Sequence, residues 1–190
     1  MNPFINPPQK MPFIFRIIAW MTEKKTGLEL LPVKILAWYP KTAIGSGILE
    51  SLVAHGKKDL NKRMLKLVRI QTSFFISCPF CIDMNSFEYQ QFGITEAEVE
   101  ALRTSAGLET IASFSEKEKI ALEYARQISA TPLSFSTGLV EKLKKHFTER
   151  EIVILASTAA QVNYWGRLLQ ALGIPQAGFT SECRIPKEKA

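Results

Sequence analysis

Three four-residue signatures do most to limit what this chain can become: Thr95-Glu96-Ala97-Glu98, Ser115-Glu116-Lys117-Glu118 and Thr148-Glu149-Arg150-Glu151. Each sets a hydroxyl three residues before a carboxylate. That is the capping-box pattern, in which two helix-opening N–H groups are satisfied reciprocally. The second precedes Ile120, Ala121, Tyr124, Ala125 and Ile128, and the third precedes Ile152, Leu155, Ala159, Val162, Gly166 and Leu169. Both runs keep their apolar residues on one face of a 3.6-residue period. No stretch alternates apolar and polar residues as a half-buried strand would. The expected fold is all-α.

The other segments read the same way. Pro12 suits a first helical turn, so Phe13–Lys25 is expected to be helical. Val33–Tyr39 is a short helix or turn, and Thr42–His55 is a helix stopped by Gly56. Asp59 is the expected cap of a helix carrying Met64, Leu67, Val68, Phe74 and Phe75 and ending near Ser77. The next helix starts at Cys78 and runs through Met84 and Phe87 to Gly93, and Ser136–Phe147 is a further short one. The last helix ends at Gly173 and Pro175, and the polar tail from Thr180 is expected to be loose.

Chemistry concentrates in Cys78-Pro79-Phe80-Cys81. Two cysteines at this spacing bring both sulfurs to one turn, where they can close a disulfide or hold a metal. A structural zinc needs about four ligands, and the remaining candidates are Cys183, His55 and His146, without a second paired spacing. A disulfide across so short a loop stabilises little. A thiol at a helix N-terminus meets unpaired N–H groups and the positive end of the dipole, which favour the reactive thiolate. The pair therefore reads as redox chemistry.

The 190 residues fit one domain with an appendage, and 46% of them are hydrophobic. No apolar run approaches the roughly 20 residues of a membrane span. Pro12 to Met21 is short, is interrupted by Arg16 and lacks a small-residue cleavage site, so a cytoplasmic protein is expected. The net charge of +6 comes from 24 basic against 18 acidic residues. Its clusters, Lys57-Lys58, Lys62-Arg63-Lys66-Arg69 and Lys142-Lys144-Lys145, lack interleaved aromatics and read as solvated helix faces, not a nucleic-acid surface. No flavin, haem or nicotinamide motif is present. Trp20, Trp38 and Trp165 are expected in the core or in subunit contacts, and Asn163 with Arg167 in a structural role. The apolar segment Phe13–Met21 is expected to dock on its own domain or on a neighbour, giving a homo-oligomer.

The stretch Leu67–Asn85 (LVRIQTSFFISCPFCIDMN) resembles the core of the carboxymuconolactone decarboxylase and alkylhydroperoxidase-D-like family. Its peroxidase branch carries E-L-x-x-L followed by C-x-x-C-x-x-x-H. Asn163-Tyr164-Trp165-Gly166-Arg167 is similar to the family's N-x-W-N-R segment. The resemblance spans roughly residues 40–175 and implies a helical bundle over 40–176, an N-terminal helical extension over 1–39 and a flexible tail over 177–190. It implies a peroxiredoxin-type oxidoreductase acting on peroxides or disulfides, with Cys81 as attacking thiolate, Cys78 as resolving thiol and an external thiol reductant. No cofactor or metal is implied. Two positions depart from the pattern: the family histidine is Asn85 here and the family glutamate is Lys66. Asn85 can hydrogen-bond a thiolate but cannot titrate. An inward Lys66 would lower a thiol pKa through its charge, whereas an outward one is surface. These departures predict weak activity. They leave open a non-enzymatic redox-sensing oligomer, or a decarboxylase-branch enzyme acting on a small carboxylated lactone.

Overall fold

A computed structural model of the chain describes residues 3–52, 55, 60–104, 108 and 111–180. The described residues form nine α-helices, two short 3₁₀ turns and no strand. The helices are α1 (Phe13–Thr26), α2 (Leu31–Ile35), α3 (Pro40–Leu52), α4 (Lys62–Phe75), α5 (Pro79–Ser86), α6 (Glu96–Thr104), α7 (Glu116–Ser129), α8 (Thr137–His146) and α9 (Glu149–Ala171). None of them is long and apolar enough to cross a membrane.

All three capping boxes form as the sequence predicts. Thr95, Ser115 and Thr148 each accept from the N–H three residues on, and the matching glutamate accepts from the cap's own N–H. Asn61 caps α4, its Oδ1 accepting from Met64 N at 3.0 Å. Asp59, the expected cap, lies outside the described residues, as do Gly56, Lys57-Lys58 and Cys183.

Helix α4 is the axis of the bundle and packs against α5, α6, α7 and α9. Its Val68 and Met64 meet Ala121 and Ala125 of α7 and Leu155 and Ala159 of α9 in one core cluster. Its Leu67 and Ile70 face Leu102 of α6 and Leu122 of α7 in a second. Each fully buried leucine or isoleucine contributes about 1.5–3 kcal/mol, so α4 is fixed from several sides at once.

The basic cluster on α4 is not the solvated face expected of it. Arg63 donates to Glu98 Oε1 at 2.6 Å and to Glu118 Oε1 at 2.7 Å, joining the starts of α4, α6 and α7. Both carboxylates are buried capping-box members, and that draws the guanidinium inward. Burial alone would push the Glu98 carboxyl up. Hydrogen bonds from Arg63, Ser113 and the Thr95 backbone outweigh it and hold the group at about 2. A depressed carboxylate pKa adds stability that is complete above the unfolded value near 4.5 and is lost as pH falls towards 2. The shift corresponds to about 3 kcal/mol. Urea unfolding should therefore show a loss of about that size between roughly pH 5 and 2, and Glu98→Gln should flatten that limb. An equally steep limb in the variant would assign the acid sensitivity elsewhere.

Candidate functional site

The site begins where α4 stops. Ser77 adopts a left-handed conformation with φ of 51°. Its N–H donates to Phe74 O at 3.0 Å, and Cys78 N–H donates to Ser73 O at 3.2 Å. These two bonds make a Schellman stop, usually built on glycine. Cys78 closes α4 and at the same time caps α5, its Sγ accepting from Cys81 N–H at 3.2 Å. Pro79 takes the first helical position, where its missing N–H costs nothing. The loop therefore seats Cys81 in the first turn of α5.

Cys78 and Cys81 are joined as a disulfide, each 1% exposed, with Cα atoms 5.2 Å apart. They pack among Ile35, Phe80, Leu169 and Ile174. Gly166 of α9 permits this closeness. A Cβ there would collide with Ile76 Cδ1 and lie 3.5 Å from Cys78 Cβ. Two residues on from Cys81, Asp83 is buried and accepts from four successive backbone N–H groups, Ala177 to Thr180, at 2.7–3.1 Å. Residues 177–180, read from the sequence as the start of the flexible tail, are thus fastened to α5. Residues 181–190 lie outside the described residues.

Cys81 opens onto a cavity of about 400 Å³. One wall comes from the N-terminal helices, with Phe15 and Ile18 of α1, Val33 of α2 and Ala43 and Gly47 of α3. The other comes from Phe80, Cys81, Met84 and Asn85 of α5 with Val162, Trp165 and Leu169 of α9. The lining is mostly apolar; besides Thr22 and Asn85 it carries a charged corner, formed by Glu50 of α3 and Arg69 of α4. There Trp165 Nε1 donates to Glu50 Oε2 at 3.0 Å, and Gln161 Nε2 donates to the same oxygen. Arg69 Nη2 donates to Gln161 Oε1 at 2.9 Å, and its Nη1 lies 3.7 Å from Glu50 Oε1.

Of the residues singled out in the sequence, Cys78, Cys81 and Asn85 come together. Asn85 lines the cavity while its Nδ2 donates to Ser73 Oγ at 2.9 Å, tying α5 to α4. Lys66 is engaged elsewhere: its Nζ donates to Phe87 O at 2.8 Å and sits over the Phe92 ring. Burial, then the charge of Arg69, lower it to about 8, with Glu88 opposing. His146 ends α8 and is not among the cavity-lining residues. Asn163 and Arg167 tie α9 to the end of α7 through Ser129 and Thr131. Trp165 lines the cavity instead of serving only as core, because Glu50 draws its N–H to that side. Trp20 and Trp38 are each 60% exposed. Sequence reasoning missed Glu50, Arg69 as a cavity residue, and Gln161. One signal was available: Gln161 and Trp165, four apart, share a helix face. Among the described residues, no three His, Cys, Asp or Glu side chains gather as a metal site.

No family model matches the sequence. The uncharacterized protein YnjA of Escherichia coli strain K12 is 26% identical over 184 residues, covering 97% of this chain and 98% of that protein. Among solved structures, an uncharacterized peroxidase-related protein with an alkylhydroperoxidase AhpD core from Ralstonia eutropha JMP134 superposes with a TM-score of 0.77 at 15% identity, over 94% of this chain and 95% of that one. The debrominase Bmp8, in complex with 2,3,4-tribromopyrrole, superposes at 0.75 and 17% identity, over 95% and 94%. The chain thus has the all-helical alkylhydroperoxidase-D-like fold, with a Cys-x-x-Cys pair at the start of its fifth helix.

Proposed function

We propose that the protein is a thiol-dependent oxidoreductase that reduces a small organic peroxide with the Cys78/Cys81 pair. The observation that carries this reading is the placement of Cys81, in the first turn of α5 and on the wall of an apolar cavity. A protein disulfide would need a surface thiol, and both sulfurs are buried, so the geometry favours a small molecule. Cys81 is the attacking residue because it lines the cavity, and Cys78 resolves from the cap position. The reductant that reopens the disulfide is an external thiol. When one equivalent of cumene hydroperoxide is added to the reduced protein, the intact mass, after alkylation of remaining thiols, should show loss of two hydrogens and a Cys78–Cys81 link. An unchanged pair of free thiols overturns the reading.

A second reading has one observation behind it. The debrominase with this fold holds a small apolar ring, the kind of molecule that an apolar cavity of this volume admits. Thiol-dependent bromide release from a brominated pyrrole, without peroxide reduction, would select it.

We extend the proposal to self-association. Phe13, Ile14, Trp20 and Met21 of α1 and Ile44 and Ile48 of α3 are exposed large apolar side chains. Such surface is of the kind that subunit contacts cover. Light scattering should give a homo-oligomer at micromolar concentration, and a clean monomer would contradict it.

A further inference from the structure

We propose that Glu50 is the proton carrier of the cavity: it takes the proton from the Cys81 thiol and returns it to the leaving alkoxide. This rests on the reading of the site as a peroxide-reducing thiol pair. The two positions expected to supply a relay do not do so here. Asn85 cannot titrate and its amide is spent on Ser73. Lys66 is bound to Phe87 O and is absent from the cavity lining. Among the described lining residues, Glu50 is the one carboxylate. Arg69, the cation beside it, does not give up its proton in proteins.

The carboxylate is held for the task. Trp165 and Gln161 both donate to Oε2, while Oε1 accepts no hydrogen bond among the described residues and keeps only the 3.7 Å approach of Arg69. One oxygen is an anchor, and the other is open to a donor. The side chain is 46% exposed, so it reaches water as well as the cavity. These features make a path from solvent to the cavity that Cys81, itself buried, does not have.

The chemistry balances around it. Glu50 accepts the Cys81 thiol proton. The thiolate attacks the terminal oxygen of R–O–OH, the O–O bond breaks, and Cys81 becomes a sulfenic acid while RO⁻ leaves. RO⁻ takes the proton from Glu50 and departs as an alcohol. The Cys78 thiol then attacks the Cys81 sulfur, water is lost and the disulfide forms. The two electrons come from the cysteine pair, and an external dithiol restores them.

The test uses the reduced full chain and two reactions of Cys81. Oxidation by cumene hydroperoxide reports the whole step, and alkylation by iodoacetamide, located by mass spectrometry, reports proton removal without peroxide. Glu50→Gln keeps the size and an anchoring oxygen. It should slow oxidation about 100-fold, at the lower end of what general acid–base groups contribute because water competes at an exposed carboxylate. Alkylation should slow in parallel. Glu50→Ala should be equally slow and regain about tenfold in added formate, a small carboxylate that can enter the vacated space and move the proton. Glu50→Asp should retain part of the rate. Wild-type rates in Glu50→Gln overturn the assignment. So does slowing that neither formate nor aspartate relieves, since that marks a packing role. If wild type resists every peroxide yet its alkylation still depends on Glu50, the peroxidase reading fails and the proton carrier stands. Alkylation indifferent to Glu50 removes the carrier alone.

Discussion

Cys81→Ser protein is expected to consume no organic hydroperoxide above the uncatalysed background, a loss of about 10⁴-fold or more, since removing a nucleophile stops the step it performs. A serine hydroxyl is a poor nucleophile towards a peroxide oxygen and cannot form a sulfenic acid. The Cys78→Ser protein is expected to behave differently. Its Cys81 still reacts, but the oxidised sulfur finds no thiol one turn away, so the sulfenic acid persists. A dimedone-type probe should label Cys81 in Cys78→Ser and nothing in Cys81→Ser. Labelling at Cys78 in the Cys81→Ser protein would reverse the two roles, and full activity in either variant would remove the pair from the chemistry.

The second large effect is on stability. Asp83→Ala should lower unfolding free energy by about 1.5–3 kcal/mol, the range for hydrogen bonds to a charged group, since it removes a buried carboxylate and leaves neutral N–H donors behind. The carboxylate lies 2% exposed and gathers the N–H groups of Ala177, Gly178, Phe179 and Thr180. Alanine leaves those donors without a shared acceptor and opens space beneath α5. Asp83→Asn retains one oxygen and should cost less, because a hydrogen bond to a neutral acceptor is worth about half one to a charged acceptor. Urea denaturation measures both, and limited proteolysis should cut near residues 177–180 first in the alanine protein. A loss below about 1 kcal/mol would show that Ile174 and the packing around it hold the segment without the carboxylate.

The parts legible in the sequence were those whose physics is local. A capping box closes within four residues, and a helix face repeats within two turns. The all-α architecture, the ends of α1, α8 and α9 and the start of α7 accordingly lie within a residue or two of expectation. The expected helix from Cys78 to Gly93 is shorter. It ends at Ser86 because Glu88 turns left-handed, with φ of 53°, and a 3₁₀ turn follows. The end of α4 near Ser77 was expected, but its Schellman geometry was not, since glycine, its usual marker, is absent. The cysteines were visible as a motif. The polar corner of the cavity was not, because Glu50 meets Gln161 and Trp165 across separations of 111 and 115 residues. Arg63 and Arg69 looked like a solvated stripe because their carboxylate partners sit on other helices.

The two walls of the cavity belong to separate stretches of chain, joined at the Glu50 corner, and this gives heredity two handles. The sulfurs and their supports, Ser73, Asp83 and Gly166, lie between α4 and α9. Much of the facing wall is drawn from α1 to α3, including Phe15, Val33 and Gly47. A Cβ at Gly47 would meet nothing within 4 Å, so that wall has room to be narrowed. Substitutions at Phe15, Val33 or Gly47 can reshape that wall while the sulfurs and Glu50 keep their places. If the proposed chemistry holds, descendants of such a chain are free to exchange diets without relearning it.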